Sequence, residues 1–200
     1  MLSIQNLTLP NKKILSLELQ TAEHIHVTGP NGAGKSLLLK SLSRLISSPY
    51  DQFIFQNKDL KSYDLRSYRS NVLYVSPYPF SMGATTVEDF LKAPMQLEVR
   101  RGRDSSIDEN TLDFLKISKG TNFQQLSSGQ KQLLTLVRAI GLEPMILLLD
   151  EPISHLDQEK IKFLISLLSN WITRTKNSLI YVSHQSVFDS SFDVKNFNID

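Results

Sequence analysis

The stretch Gly29-Pro30-Asn31-Gly32-Ala33-Gly34-Lys35-Ser36 constrains this chain more than any other. It matches G-x-x-x-x-G-K-[ST] at every fixed position, a pattern with physical meaning where a strand runs in and a helix leaves. Both flanks are present. His24 to Val27 reads as a short strand. Lys35 to Ile46 places apolar residues at 38, 39, 42, 45 and 46, the spacing of one helix face, before Ser47, Ser48 and Pro49 end it. The glycines permit torsions and close approach that side chains would block, so successive N–H groups can surround phosphate oxygens at a helix N-terminus. Lys35 adds a positive charge for the β- and γ-phosphates, and the Ser36 hydroxyl can hold Mg²⁺.

Around this loop the pattern is that of an α/β protein. Leu2 to Leu9 and Ile14 to Leu19 alternate as N-terminal strands, and Phe53 to Phe55 and Val72 to Val75 read as further strands. From about Val87 to Leu115 helices are expected, interrupted by the polar stretch Arg100 to Asp108. Helix Ser128 to Ile140, strand Met145 to Leu149, helix Gln158 to Ile172 and strand Ser178 to Val182 follow. Such alternation implies a mostly parallel sheet covered on both faces. The organisation expected is a single domain over residues 1–200, with a small helical subdomain inserted at approximately 84–140.

Composition excludes several function classes. A length of 200 residues, 40% apolar and 21% charged, is that of one globular domain. A net charge of +2 is too small for a nucleic-acid surface, and Arg100, Arg101 and Arg103 read as a solvated loop. The absence of cysteine removes disulfides and thiolate metal sites and fits a reducing compartment, so a cytoplasmic location is expected. The alternating N-terminus does not read as a signal peptide, and the purest apolar run is only Met145 to Leu149. Any membrane work therefore requires a partner chain.

Met145 to Pro152 reads as a buried strand ending in two adjacent carboxylates. Asp150 is placed to hold the Mg²⁺ shell, and Glu151 to orient or deprotonate an attacking water. Guanine specificity lacks support, because Leu60 stands where Asn57-Lys58 would need a following aspartate. Upstream lies Leu126-Ser127-Ser128-Gly129-Gln130, directly before a helix; alone, Ser-Ser-Gly is an N-cap or a turn. In combination with the phosphate loop and the acid pair, it resembles the signature of the ABC ATPases, Leu-Ser-Gly-Gly-Gln, with Ser128 in place of the first glycine.

That resemblance covers the chain from its first strand to His184 and is most similar, over Val72 to Leu97, to small bacterial subunits of the iron-efflux type. It implies a P-loop NTPase fold and ATP with Mg²⁺ as ligands. It also implies that Ser127, Ser128, Gly129 and Gln130 act in trans on the γ-phosphate of a second subunit, expected to be a homodimer partner. Ser154-His155-Leu156-Asp157 is similar to the family's D-loop, which puts Asp157 at the dimer seam, and His184 matches its switch histidine beside Glu151. His24, His26 and His155 have no sequence signal assigning them a partner. The implied function is ATP hydrolysis driving a separate transmembrane permease from the inner face of the membrane, with no nucleic acid. The alternatives are a soluble ATPase of repair or translation, or a weakly catalytic regulatory subunit.

Three positions depart from the family pattern. Residues 4–20 lack the aromatic on which adenine stacks, Leu37 replaces a hydroxyl residue, and Tyr74-Val75-Ser76-Pro77 puts proline where the family has a glutamine ligand. Proline offers neither a metal ligand nor a side-chain donor, so coupling to a permease is expected to be altered. The helical subdomain and the loop around Ser76 to Ser81 are expected to meet that partner, with Phe80, Met82 and Phe90 either apolar contacts for it or, at least as readily, core of the subdomain.

Overall fold

The computed structural model describes residues 1–79, 81, 83–92, 109–186, 188 and 191–200. The expected contacts Phe80 and Met82, the stretch Arg100 to Asp108, and part of the iron-efflux-like segment lie outside the described residues.

Two sheets form the frame. Strands β1 (Leu2–Thr8), β2 (Ile14–Leu19), β4 (Gln52–Phe55) and β5 (Lys58–Asp59) make an antiparallel sheet ordered β2-β1-β4-β5. Strands β3 (His24–Thr28), β6 (Val72–Val75), β7 (Ile146–Asp150), β8 (Ser178–Val182) and β9 (Val194–Asn198) make a parallel sheet ordered β6-β7-β8-β3-β9. Strands β7 and β8 are buried at every position and mostly apolar because both faces are covered. Successive side chains alternate: Leu147 and Leu149 join one core, while Ile146 and Leu148 join the other.

The first core lies under α5 (Ser128–Gly141) and α6 (Gln158–Thr175), and takes in Phe90 from α3 (Val87–Lys92) and Leu112 from α4 (Glu109–Leu115). The second is closed by α1 (Lys35–Leu42), α2 (Leu65–Asn71) and the antiparallel sheet. Tyr68 of α2 is its hub, edge-on to Phe53 and Phe55, with its hydroxyl donating to the Leu42 carbonyl at 2.6 Å. That bond satisfies one of the carbonyls left open at the end of α1.

Several expectations need correction. Helix α1 stops at Leu42 instead of continuing to Ile46, because Arg44 turns left-handed at φ 56° and Leu45 N–H folds back to the Lys40 carbonyl. Helix α6 runs on to Thr175, ending where Lys176 turns left-handed. Strand β7 is shifted by one residue, to Ile146–Asp150, which draws Asp150 into the sheet. Elements β5, α2 and β9 carried no clear period in the sequence. Phe90 is fully buried, stacked on Phe123, with the Arg138 guanidinium 3.8 Å from its ring centre. Of its two expected readings, external contact or subdomain core, it takes the second.

Candidate functional site

The phosphate loop leaves the C-terminal edge of the parallel sheet, where β3 is flanked by β8 and β9. Gly34 is the N-cap of α1 at φ 108° and supplies no side-chain cap, so the first-turn N–H groups remain open to an anion. A Cβ on Gly34 would stand 2.8 Å from Asn11 Nδ2, whose amide also donates to the Ala33 carbonyl at 3.1 Å. The β1–β2 turn thus braces the loop through Leu9 and Asn11, neither of them aromatic. Lys35 Nζ curls back over the loop and donates to the Gly29 and Pro30 carbonyls at 2.8 and 3.0 Å.

Asp150 is the best-fixed group of the site. It is only 2% exposed; Ser36 Oγ donates to its Oδ1 at 2.9 Å and Tyr74 OH donates to its Oδ2 at 2.8 Å. Burial, and then the Asp150 carboxylate, holds the Tyr74 phenol well above its ordinary value, so it remains a donor. Glu151 follows in the left-handed region at φ 47°, a conformation that costs a non-glycine residue about 1 kcal/mol or more. Its N–H donates to the Val182 carbonyl at 3.0 Å, and the turn returns Ser154 N–H to the Glu151 carbonyl. The result aims the carboxylate at His184, with Nε2 and Oε1 3.4 Å apart.

Gly34, Lys35, Ser36, Asp150, Glu151 and His184 line one cavity of about 590 Å³ together with Asn31, Gly32, Lys40 and the segment Ser76 to Tyr78. Ser36 and Asp150 are hard oxygen donors side by side, a set suited to Mg²⁺, which keeps much of its water and takes one or two protein oxygens. The glycine loop, Lys35 and the open helix end suit a polyphosphate.

The signature residues are not in this cavity. Ser127 caps α5, its hydroxyl accepting from Gln130 N–H at 3.2 Å while Gln130 Oε1 accepts from Ser127 N–H at 2.9 Å, a reciprocal capping box. Ser127 and Gln130 line a separate cavity of about 290 Å³ with Lys160. Ser128 is exposed, whereas Gly129 is buried so close to the following loop that a Cβ would stand 2.7 Å from the His155 carbonyl. Asp157 caps α6, accepting from Lys160 N–H at 2.9 Å and pairing with its ammonium, which holds its carboxyl below the usual range.

The histidines without a sequence signal do have partners. His26 Nε2 lies 3.0 Å from the Ser183 carbonyl, with its ring stacked on Tyr181 at 4.4 Å, bracing the residue before His184. His24 Nδ1 accepts from Leu179 N–H at 3.3 Å. His155 Nδ1 lies 3.0 Å from Ser154 Oγ and lines the main cavity. Sequence reasoning also missed Tyr74, since only the pairing of β6 with β7 puts its hydroxyl on Asp150.

The family profile described as ABC transporter matches residues 12–154. The probable iron export ATP-binding protein FetA of Escherichia coli K12 is 32% identical over 178 residues, covering 85% of this chain and 76% of that protein. The methionine import ATP-binding protein MetN of Clostridium tetani is 31% identical over 181 residues, covering 86% of this chain and 56% of that protein. The solved dimeric ATP-binding cassette MJ0796, in a post-hydrolysis state with ADP and Pi, superposes with a TM-score of 0.78. It is 20% identical, covers 100% of this chain and is itself covered to 97%, a likeness of fold. With its phosphate loop, acid pair and signature helix disposed as described, the chain belongs to the ABC transporter family and is an ATPase cassette of that class.

Proposed function

We propose that this cassette powers a membrane transporter as one of two ATP-binding subunits. The carrying observation is the separation of its two half-sites: the phosphate loop, Asp150, Glu151 and His184 share one cavity, while Ser127 and Gln130 line another. A capped helix N-terminus not in its own chain's phosphate cavity is suited to a γ-phosphate held by a second copy. Two chains facing each other complete two sites, with Asp157 on the seam between them.

The residues then have the following roles. Gly29 to Ser36 hold the triphosphate, Lys35 exchanging its carbonyl partners for phosphate oxygens. Ser36 and Asp150 hold Mg²⁺, which when bound neutralises charge developing on the phosphates. Glu151 takes a proton from water that His184 helps place, and Ser127 to Gln130 close on the phosphate from the facing subunit. Cleavage removes the shared ligand and the pair reopens.

Among the described residues no helix is long and apolar enough to cross a membrane. Transport on this reading requires a separate permease, with the cassette peripheral on the inner face. The fold is read as one domain over residues 1–200, with the helical insertion at approximately 84–140.

The experiment compares phosphate release from Mg-ATP by the purified chain and by Glu151→Gln. The variant is expected to be slower by roughly a hundredfold or more. Equal rates would refute hydrolysis at this site. Co-purification of a polytopic protein from detergent-solubilised membranes supports the permease, whereas a soluble complex or nucleic acid counts against it.

A further inference from the structure

Two successive carbonyls at the end of β8 are gripped from opposite sides. Strand β8 lies between β7 and β3, and along a strand successive carbonyls turn to opposite neighbours. The Val182 carbonyl accepts from Glu151 N–H at 3.0 Å, on the β7 side. Ser183 follows, one residue beyond the last pair of the β3–β8 ladder, Val27 with Val182. It is buried, and a buried carbonyl there needs a donor. The His26 imidazole supplies one: its Nε2 lies 3.0 Å from the Ser183 oxygen and, facing a carbonyl, carries the proton. The ring lies flat on Tyr181, the two centroids 4.4 Å apart and the planes 12° from parallel. Ser183 Oγ accepts from Gln185 N–H at 3.1 Å, which closes the turn around His184.

We propose that His26 is a positioning residue for His184. This rests on the reading that His184 helps place the attacking water. The His184 side chain is 64% exposed and its Nε2 stands 3.4 Å from Glu151, so the ring's own contacts fix it weakly. Its place is set by the backbone from which it projects, and the bond from His26 holds the peptide group immediately before it. His26 is itself buried, where packing alone asks only for an apolar ring and an imidazole costs desolvation unless it is bonded. The donor is what histidine adds at this position. Glu151 grips Val182 and His26 grips Ser183, so the carboxylate and its histidine partner project from one fixed strand end.

Three substitutions separate the donor from the ring. His26→Phe keeps a ring on Tyr181 and removes the donor, His26→Gln keeps an N–H at the same reach, and His26→Met matches His26→Gln in length but has no donor. With the purified chain and Mg-ATP, His26→Phe should lower kcat by about threefold to tenfold, the size of one hydrogen bond, while KM for ATP changes by less than about twofold. His26→Gln should hold kcat within about twofold of the parent chain, and His26→Met should lose as much as His26→Phe. The second readout is the NMR spectrum of nucleotide-free chains carrying isotope-labelled histidine, in which the His184 ring signals are recognised by their loss in His184→Ala. They should shift in His26→Phe and His26→Met and return toward their parental positions in His26→Gln.

Parental kcat in His26→Phe overturns the inference, and so do His184 signals that stay in place. Equal kcat in His26→Gln and His26→Met, lowered or not, overturns the role of the donor. Should His26→Phe not fold, judged by its urea midpoint, the comparison of His26→Gln with His26→Met decides alone. Turnover by His184→Ala equal to that of the parent chain would instead sink the reading of His184 given above.

Discussion

Ser36 Oγ and Asp150 Oδ1 are 2.9 Å apart although 114 positions separate them in the chain. The hydroxyl gives its proton to the carboxylate and keeps its lone pairs for a cation. Ser36→Ala leaves the buried carboxylate with one of its two hydroxyl donors and removes a metal oxygen. A hydrogen bond to a charged group contributes about 1.5–3 kcal/mol, so the Mg²⁺ requirement for ATP binding should rise by roughly tenfold or more. Binding of ATP in EDTA, which relies on the loop N–H groups and Lys35, should change by less than about threefold. Calorimetric titrations with and without Mg²⁺ check both; an unchanged requirement would show that Ser36 is no ligand.

Gly129 is buried beneath the loop that carries His155, with room for hydrogen only. Gly129→Ala improves helix propensity by about 1 kcal/mol, but the new methyl group meets a backbone carbonyl at 2.7 Å, and overpacking typically costs about 1–3 kcal/mol. The expected net result is a chain destabilised or neutral in urea denaturation, with the 154–157 turn displaced. Nucleotide-dependent dimerisation, measured by light scattering in the Glu151→Gln background, should be lost. Intact dimerisation would show that the turn adjusts freely.

Arg138 on α5 crosses to α3, its guanidinium over the Phe90 ring and Nη1 donating to the Phe90 carbonyl at 3.1 Å. Burial opposes the charge and lowers its pKa to about 10. The cation–π contact contributes about 0.5–2 kcal/mol and the charged hydrogen bond about 1.5–3 kcal/mol, against a desolvation cost of similar size. Arg138→Met, which keeps the stem, should therefore lose only about 1 kcal/mol, and Arg138→Ala more, because it also removes packing. Chemical denaturation of both variants checks the order; equal losses would assign the whole effect to charge.

Stability should fall on mild acidification because of His24. Burial is the main cause lowering its pKa below 6.5, opposed by the charges of Asp193 and Glu23. Between the lowered folded value and 6.5 the unfolded chain binds more protons than the folded one, so this contribution is present above 6.5 and is lost as pH falls through that window. His24→Asn keeps an acceptor for the Leu179 N–H but cannot titrate. Urea midpoints followed from about pH 7.5 to 5.5 should drop less steeply in the variant. Identical slopes would remove His24 as the cause.

The elements with a strong period were legible in sequence: the alternation of β1 and β2, the apolar strands β7 and β8, and the helices α5 and α6. The short ones were not. Tyr68, on the unanticipated α2, holds its place by burying an aromatic ring among Phe53 and Phe55 and by capping α1, contacts that have no local pattern. Strand β9 is mixed polar and apolar because its place at the sheet edge needs little burial, so its β character comes from pairing with β3. Phe90 stood open in sequence between external contact and core because exposure depends on what packs over a residue, here Phe123 and Arg138.

The residue types and spacing of positions 29–36, the acid pair 150–151 and the motif 126–130 were enough to establish the family and the chemical groups available, because each works through local backbone geometry. Tertiary structure decided how those groups are grouped. It put Ser36, Asp150, Glu151 and His184 around one cavity, with Tyr74 behind Asp150, and the signature helix cap at another. The reason is that parallel strands bring distant segments to a common edge, and which hydroxyl reaches which carboxylate oxygen is set by strand order and register, properties that no single segment carries.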